Sequence, residues 1–143
     1  RVFARTAIVG LEGRGVFNHT DGNVCVGTNL YLGFYSTAFS YGEYQMAHGW
    51  LTETNNLYVG YAGRGYFHQT DGNHEVLGST YIAPIPGSDG NYAMDGGKLV
   101  INGNLAIGGA FDSSGGIAIF EANGGSTTIG GQVRIWDGGV LRL

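Results

Sequence analysis

Two near-identical segments contain the residue types that could bind a metal ion or act in catalysis: GRGVFNHTDGN near the N-terminus and GRGYFHQTDGN fifty residues later. A metal or catalytic site copied by duplication would keep its histidine at the same place. His19 instead aligns with Gln69, and Asn18 aligns with His68. We therefore interpret both histidines as structural, with His19 facing inward at a corner and His68 facing solvent.

The aspartates do keep their place, since Asp21 aligns with Asp71. If the copies belong to stacked coils two strand spacings apart, the carboxylates lie roughly 10 Å from one another. Inverting and retaining glycosidases hold their carboxylates closer than that. The other acidic residues are scattered over turns, and Lys98 is the only lysine. We predict no catalytic residue, cofactor or metal, and a polysaccharide-acting β-helix enzyme is only our third hypothesis.

The composition bounds the class of protein. The chain has 143 residues, 28 of them glycine, and its 13% aromatic content indicates a folded domain. A net charge of -4 offers no basic surface, so we expect no nucleic acid partner. No apolar run approaches the roughly 20 residues that span a bilayer, so we expect no membrane insertion. Cys25 is the only cysteine and cannot form an internal disulfide.

A shorter repeat underlies the two copies. An apolar motif recurs every 23 to 28 residues, as AIVG, LYLG, LYVG, TYIA, LAIG and VRIW. An aromatic or apolar position, a glycine five residues later and a short third segment follow the first five. The differences in length fall mainly in the turn after the first motif. Alternation within the segments indicates strands, and this repeat length is typical of β-solenoids. We predict one all-β domain, residues 1–143: a β-solenoid (β-helix) of about five to six coils with three short strands per coil.

Stacked coils predict columns of equivalent residues. The first inward column comprises Val9, Leu32, Val59, Ile82, Ile107 and Ile135. The second comprises Phe17, Tyr44, Phe67, Tyr92 and Ile119. Two residues after the second column lie His19, Met46, Gln69, Met94 and Glu121, and five residues after it lie Gly22, Gly49, Gly72, Gly97 and Gly124. Glycines at these corners are expected to adopt positive φ, with the neighbouring aspartates bonding nearby backbone.

These units resemble a known family. LYVGYAGRGYFHQTDGN and NLYLGF are similar to the Gly-rich β-strand repeats of bacterial surface proteins, found in autotransporter-type passenger domains and PEP-CTERM-type exoproteins. The resemblance runs from Ala7 to about Ile135, although His19, Met46, Met94 and Glu121 stand where that family often has Gln. It implies a β-helical rod that is exported, extracellular or on the cell surface, and not an enzyme.

Outward aromatic residues are the best candidates for contact with a partner. Tyr31, Tyr58 and Tyr81 take the outward position of the first strand in three successive coils, and we expect them to form an exposed ladder. Trp50 is also expected to face outward. Tyr and Trp anchor protein contacts and stack on sugars. A ladder that only stabilises its own sheet is the alternative.

Arg14 and Arg64 share one turn position two coils apart. We favour their interpretation as turn residues on a solvated edge over a pair of cations that meets a neighbour's carboxylates.

Both ends of the sequence resemble interrupted coils. The segment before Ala7 is similar to a third strand, and DGGVLRL from Asp137 resembles the third-strand segment DGGKLVI from Asp95. Strand edges left open at a solenoid's ends favour pairing with another chain. Candidate contacts there are Val2, Phe3, Val140, Leu141 and Leu143.

The leading hypothesis is a structural subunit of an extracellular filament, sheath or surface layer, whose partner is another copy of itself stacked head to tail. The alternative is a segment of an autotransporter-type adhesin that binds glycans or host or partner surfaces.

Overall fold

The computed structural model describes residues 1–143, which form eighteen short strands. The first six are β1 (Val2–Ala4), β2 (Ala7–Val9), β3 (Arg14–His19), β4 (Asn23–Val26), β5 (Leu30–Leu32) and β6 (Tyr41–Met46). The next six are β7 (Trp50–Glu53), β8 (Leu57–Val59), β9 (Arg64–Gln69), β10 (Asn73–Val76), β11 (Thr80–Ile82) and β12 (Asp89–Met94). The last six are β13 (Lys98–Ile101), β14 (Leu105–Ile107), β15 (Ile117–Ala122), β16 (Ser126–Ile129), β17 (Val133–Ile135) and β18 (Gly139–Arg142). The structure contains no helix that could span a membrane.

Three parallel sheets of six strands enclose the core. Sheet A has the order β1-β4-β7-β10-β13-β16, sheet B runs from β2 to β17 in the same steps of three, and sheet C runs from β3 to β18. Each coil therefore contributes one strand to each sheet, and the prediction of a β-solenoid with three strands per coil and about six coils is confirmed.

The first predicted column is confirmed residue by residue. Val9, Leu32, Val59, Ile82, Ile107 and Ile135 are partners in adjacent strands of sheet B. The four middle members are fully buried. Burial of each such side chain stabilises the fold by about 1.5 to 3 kcal/mol. Repetition of one apolar position therefore builds the core.

The second column lies in sheet C and consists of five stacked rings followed by a leucine; we call it the aromatic column. Its members are Phe17, Tyr44, Phe67, Tyr92, Phe120 and Leu141. The five rings stack with centroids 4.6 to 5.3 Å apart. Offset stacking of this kind is favourable beyond the area that it buries.

The prediction of Ile119 in this column was wrong by one position. The sequence around it, IAIFEANGG, has two adjacent large apolar residues and two adjacent glycines. Gly125, with φ +77°, is the corner glycine instead of Gly124. The inward residues of this coil are consequently Phe120 and Ala122, and Glu121 faces outward beside Ala93.

Glycine recurs at two kinds of position. At the other four corners positive φ is confirmed, with Gly72 at +87° as an example. Gly65 shows the second kind, which the sequence analysis missed. It faces inward from β9, where a Cβ would overlap the backbone N of Gly60. Equivalent glycines recur in sheet C at Gly15, Gly42, Gly90 and Gly139, and the remaining coil has the small Ala118 at this place. They let the turn between sheets B and C pass directly beneath the strand that follows.

The variable turns connect sheet B to sheet C, where the sequence placed them. They hold residues 10–13, 33–40, 60–63, 83–88 and 108–116. The longest contains its own antiparallel bridge between Gly109 and Ser114.

The prediction for DGGVLRL was wrong. Its strand, β18, pairs with β15 in sheet C, not with a third-strand segment. It directly follows β17, and in every other coil the strand after sheet B joins sheet C. The similarity to DGGKLVI comes from a glycine turn and an apolar alternation that both strands share. The initial segment is different, since β1 does pair with β4 in sheet A as predicted.

Candidate interaction surfaces

The two end coils present the unpaired edges of the sheets. At one end β1, β2 and β3 each have a single strand neighbour, and at the other end β16, β17 and β18 do. An open edge exposes a row of backbone N–H and C=O groups that can pair with another strand. Because all pairing is parallel, the two ends expose opposite edges of the same three sheets.

Apolar side chains accompany these open edges. Val9 and Phe17 end their columns at the first coil, and Ile135 and Leu141 end the same columns at the last. None of the four is fully buried, whereas their equivalents in the middle coils are. Each end thus has apolar positions that one more coil would cover.

The predicted end residues divide into two groups. Val2, Phe3, Val140 and Leu143 are exposed, Phe3 to 67%. Leu141 instead packs on the core as the next member of the aromatic column after Phe120. Leu141 therefore belongs to the end of the core at the last coil, near Val140 and Leu143, whereas Val2 and Phe3 lie at the first coil.

The three tyrosines form the ladder that the sequence indicated. Tyr31, Tyr58 and Tyr81 are direct partners in sheet B, with ring centroids 4.8 and 5.2 Å apart. The prediction of an exposed ladder was wrong, because all three are half-buried. Phe34 and Tyr61, from the turns between sheets B and C, pack edge-on against Tyr31, and Tyr61 also packs edge-on against Tyr58.

An open groove continues the tyrosine ladder. It has a volume of about 550 Å³ and lies between the turns 83–88 and 108–116. Its lining consists of Tyr58, Tyr61, Tyr81, Pro84, Ile85, Ala110, Phe111, Asp112 and Ser113. Burial raises the pKa of Tyr58 above its usual value, and Asn56 donates a hydrogen bond to its hydroxyl. At the place equivalent to Asn56, the coil of Tyr81 has Ser79, whose hydroxyl accepts from Asn104 N.

Trp50 and the two arginines lie elsewhere. Trp50 faces outward from sheet A and is 53% exposed, as expected. Arg14 donates to Glu43 at 3.3 Å, and Arg64 lies 3.6 Å from Asp89. A hydrogen bond from Gln45 and then the Arg14 guanidinium hold the pKa of the Glu43 carboxyl below its usual value. Both arginines therefore have carboxylate partners within their own chain.

The residues that first suggested chemistry do not form a cluster. His19 is buried and bonds Tyr44 and the Gly22 carbonyl. His68 faces outward and pairs with Asp95 at 2.7 Å. Asp21 and Asp71 each accept a hydrogen bond from the backbone N of the glycine that follows. No group of three or more His, Cys, Asp or Glu side chains could hold a metal ion.

Two polar arrangements were not predicted from the sequence. One is a row of side chains before the strands of sheet B, which we call the asparagine ladder: Asn29, Asn56, Ser79, Asn104 and Gln132. Polar residues recurring before the apolar motif were a usable signal. The other is a buried pair, Glu53 with His74, on the inward face of sheet A. The alternation of β7 and β10 already placed both inward.

Comparisons with protein-family models, curated proteins and solved structures find no match to this chain.

Proposed function

We propose that this protein is a structural subunit of an extracellular filament, sheath or surface layer that assembles by head-to-tail stacking of its coils. One observation carries the proposal. The three sheets end in complementary open edges, and the apolar columns terminate uncovered at both ends.

Strand pairing would join the subunits. In the stack, β1, β2 and β3 of one copy pair in parallel with β16, β17 and β18 of the next, continuing sheets A, B and C. Val9 then covers Ile135, and Phe17 covers Leu141, as neighbouring column members do inside the rod. This is β-strand addition at three edges together. A contact between unlike ends cannot close on itself, so a rod repeats it into a filament.

Two further points support the proposal. The resemblance to Gly-rich repeats of bacterial surface proteins favours an exported, extracellular or cell-surface location. The arginines, which the sequence offered as contacts, already have intramolecular partners, so the stacking contact relies on backbone edges and apolar columns. The proposal includes no catalysis and no cofactor.

A pair of end variants tests the head-to-tail geometry. Ile135→Glu places a charge at the last coil, and Val9→Glu places one at the first. We expect the unchanged protein to form filaments in negative-stain micrographs and each variant to be monomeric by analytical ultracentrifugation. An equimolar mixture of the variants should give dimers, because each retains one intact end.

A matched control is Leu77→Glu, since Leu77 is 43% exposed and directly follows β10, a strand with neighbours on both sides in the middle of sheet A. It should keep the filaments. Folded, discrete monomers of the unchanged protein at micromolar concentration would refute the proposal, and dimers of either variant alone would refute the head-to-tail direction.

The groove beside the tyrosine ladder favours a second candidate, an adhesin segment that binds neutral glycans. Aromatic rings stack on the apolar face of a sugar, and the Asp112 carboxylate on the groove wall can accept from its hydroxyls. Binding to a glycan array should be lost in Tyr81→Ala and kept in Tyr35→Ala, because Tyr35 lies outside the groove. Equal binding by both variants would contradict this candidate.

A further inference from the structure

A chain of hydrogen bonds crosses the core in its middle coils. Gln69 of β9, Tyr92 of β12, His74 of β10 and Glu53 of β7 are all at most 1% exposed. Tyr92 Oη lies 2.9 Å from Gln69 Oε1 and 2.8 Å from His74 Nδ1. His74 Nε2 lies 2.9 Å from Glu53 Oε2. Polar groups buried this deeply are retained only with partners, so the direction of each bond matters.

The directions follow from the Gln69 end. Gln69 Nε2 lies 3.1 Å from each of two backbone carbonyl oxygens, those of Gly72 and Lys98, which only accept. Gln69 Oε1 is therefore the acceptor for the Tyr92 hydroxyl. Tyr92 Oη, having donated its hydrogen, accepts from His74 Nδ1. The Nδ1 atom consequently carries a hydrogen, and one further proton lies between His74 Nε2 and Glu53 Oε2.

We propose that His74 and Glu53 form a buried pair that holds one titratable proton, and that this pair makes the rod most stable in mildly acidic solution. A second proton would leave an unpaired cation in the core. Loss of the proton would turn the imidazole lone pair toward a carboxylate, whose Oε1 atom already has no hydrogen-bond partner. Either change buries an uncompensated charge or an unsatisfied group, which is strongly unfavourable.

The surroundings supply no other charge to the pair. Leu51 and Leu99 flank His74 in sheet A, and Phe67 stacks on its ring at 4.7 Å. Val26 and Val76 flank Glu53. These contacts leave the pair in an apolar part of the core.

Three other titratable groups face this part of the core: Tyr44, Tyr92 and His19. Burial, and then the nearby Glu53, raise the pKa values of both tyrosines, so their hydroxyls stay protonated. His19 Nε2 lies 3.1 Å from the Gly22 carbonyl oxygen, and its Nδ1 lies 3.0 Å from the Tyr44 hydroxyl, so both ring nitrogens have partners of their own.

The sign of the pH effect follows from counting protons. In an unfolded chain a glutamate has a pKa of about 4.3 and a histidine a pKa of about 6.5. The unfolded pair thus binds two protons below about 4.3, one between these values, and none above about 6.5. Stability rises with pH where the unfolded state binds more protons than the folded state and falls where it binds fewer. Because the folded pair holds one proton, its contribution to stability is greatest between the two unfolded-state pKa values and declines at lower and at higher pH.

Urea unfolding from pH 5 to 8.5, at one protein concentration, tests the proposal by comparing the unchanged protein with Glu53→Gln, both carrying Ile135→Glu so that filament assembly does not enter the unfolding equilibrium. Above pH ~6.5 the pair should shift the equilibrium toward unfolding by up to about tenfold per pH unit. In folded Glu53→Gln, we expect His74 to be neutral. Its contribution to the free energy of unfolding should therefore rise with pH up to ~6.5, where the unfolded histidine loses its proton, and should then stay constant. The other histidines contribute equally to the pH dependence of both proteins, so their contributions cancel when one curve is subtracted from the other. His19→Gln, which removes the other buried histidine, should retain the decline above pH ~6.5. Parallel curves for the unchanged protein and Glu53→Gln would overturn the proposal.

Imidazole ¹⁵N spectra of the unchanged protein give a second test that needs no variant at position 53 to fold. The His74 Nδ1 resonance should remain that of a protonated nitrogen from pH 5 to 8. A Nδ1 atom without its hydrogen at any pH in this range would overturn the assignment. The proposal does not depend on filament assembly, because the pair lies in the middle coils.

Discussion

At the scale of single residues, the aromatic column shows how one repeated position stabilises the rod. Phe67 lies between Tyr44 and Tyr92, with ring centroids 4.9 and 4.6 Å away. Because the strands are parallel and aligned residue with residue, each ring stacks on its own equivalent in the next coil. The His74 ring also stacks on Phe67, at 4.7 Å, so the ring of Phe67 contributes its own burial and three stacking contacts.

Replacing Phe67 with alanine should lower the free energy of unfolding by about 3 to 5 kcal/mol, because the change leaves a cavity and removes all three stacks. Phe39→Ala is the matched control, since Phe39 is 80% exposed in a turn. We expect the control to stay within about 0.5 kcal/mol of the unchanged protein in urea unfolding. Similar losses in the two variants would contradict the role of the column.

Single positions were predictable from the sequence where the repeat leaves one choice. Phe17, Tyr44 and Phe67 each have a single glycine five residues later, and each is in the column. Ile119 and Phe120 adjoin, and a glycine lies five residues after each, so counting alone could not separate them. The positive φ of Gly125, the second glycine, identifies Phe120 as the column member, and φ is a property of the folded backbone.

At the scale of elements, the asparagine ladder fixes the corner between sheets A and B. Asn29 Oδ1 accepts from Asn56 N at 3.0 Å, and Asn56 Oδ1 accepts from Ser79 N at 2.8 Å. Asn56 Nδ2 also donates to the Tyr58 hydroxyl. The ladder therefore satisfies backbone donors that a turn would otherwise leave unpaired, and it orients the tyrosine ladder.

Replacing Asn56 with alanine should cost about 1 to 3 kcal/mol of stability, because Ser79 N loses its acceptor and Tyr58 its donor. Gln132→Ala is the control. Gln132 occupies the last position of the ladder, where its backbone N donates to Asn104 Oδ1, a bond that alanine retains. Thermal unfolding should separate the two variants. A midpoint for Asn56→Ala equal to that of Gln132→Ala would show that the ladder bonds contribute no net stability.

The number and kind of strands could be predicted from the sequence because the apolar motif that begins each repeat occurs six times. The assignment of the final strand could not be taken from similarity alone. DGGVLRL and DGGKLVI share a glycine turn and alternation, which are common to sheets A and C. The order of the preceding strands decides, since β18 follows a strand of sheet B.

At the scale of the whole molecule, the chemistry of the interior depends on relations between coils. Glu53 and His74 are far apart in sequence from Tyr92, yet one chain of hydrogen bonds joins all three. Each is inward by alternation within its own strand, which the sequence shows. That they meet depends on the registration of successive coils, which the sequence analysis did not derive at the level of single side-chain atoms. Cooperation between coils is therefore the property least visible in the sequence.

A stack in which each coil contacts only its neighbours should be least stable at its ends. Strands β9 and β12 have partners on both sides, whereas β3 and β18 have one. In the monomeric variant Ile135→Glu, we expect amide hydrogens of β9 and β12 to exchange slowest and those of β3 and β18 at least tenfold faster.

In assembled filaments of the unchanged protein, β3 and β18 should gain protection, because a second copy then pairs with each edge. Exchange measured by mass spectrometry on peptides covering these strands distinguishes the cases. Uniform protection along the monomer would show one cooperative unit, and filaments with unprotected end strands would place the contact between subunits elsewhere on the rod.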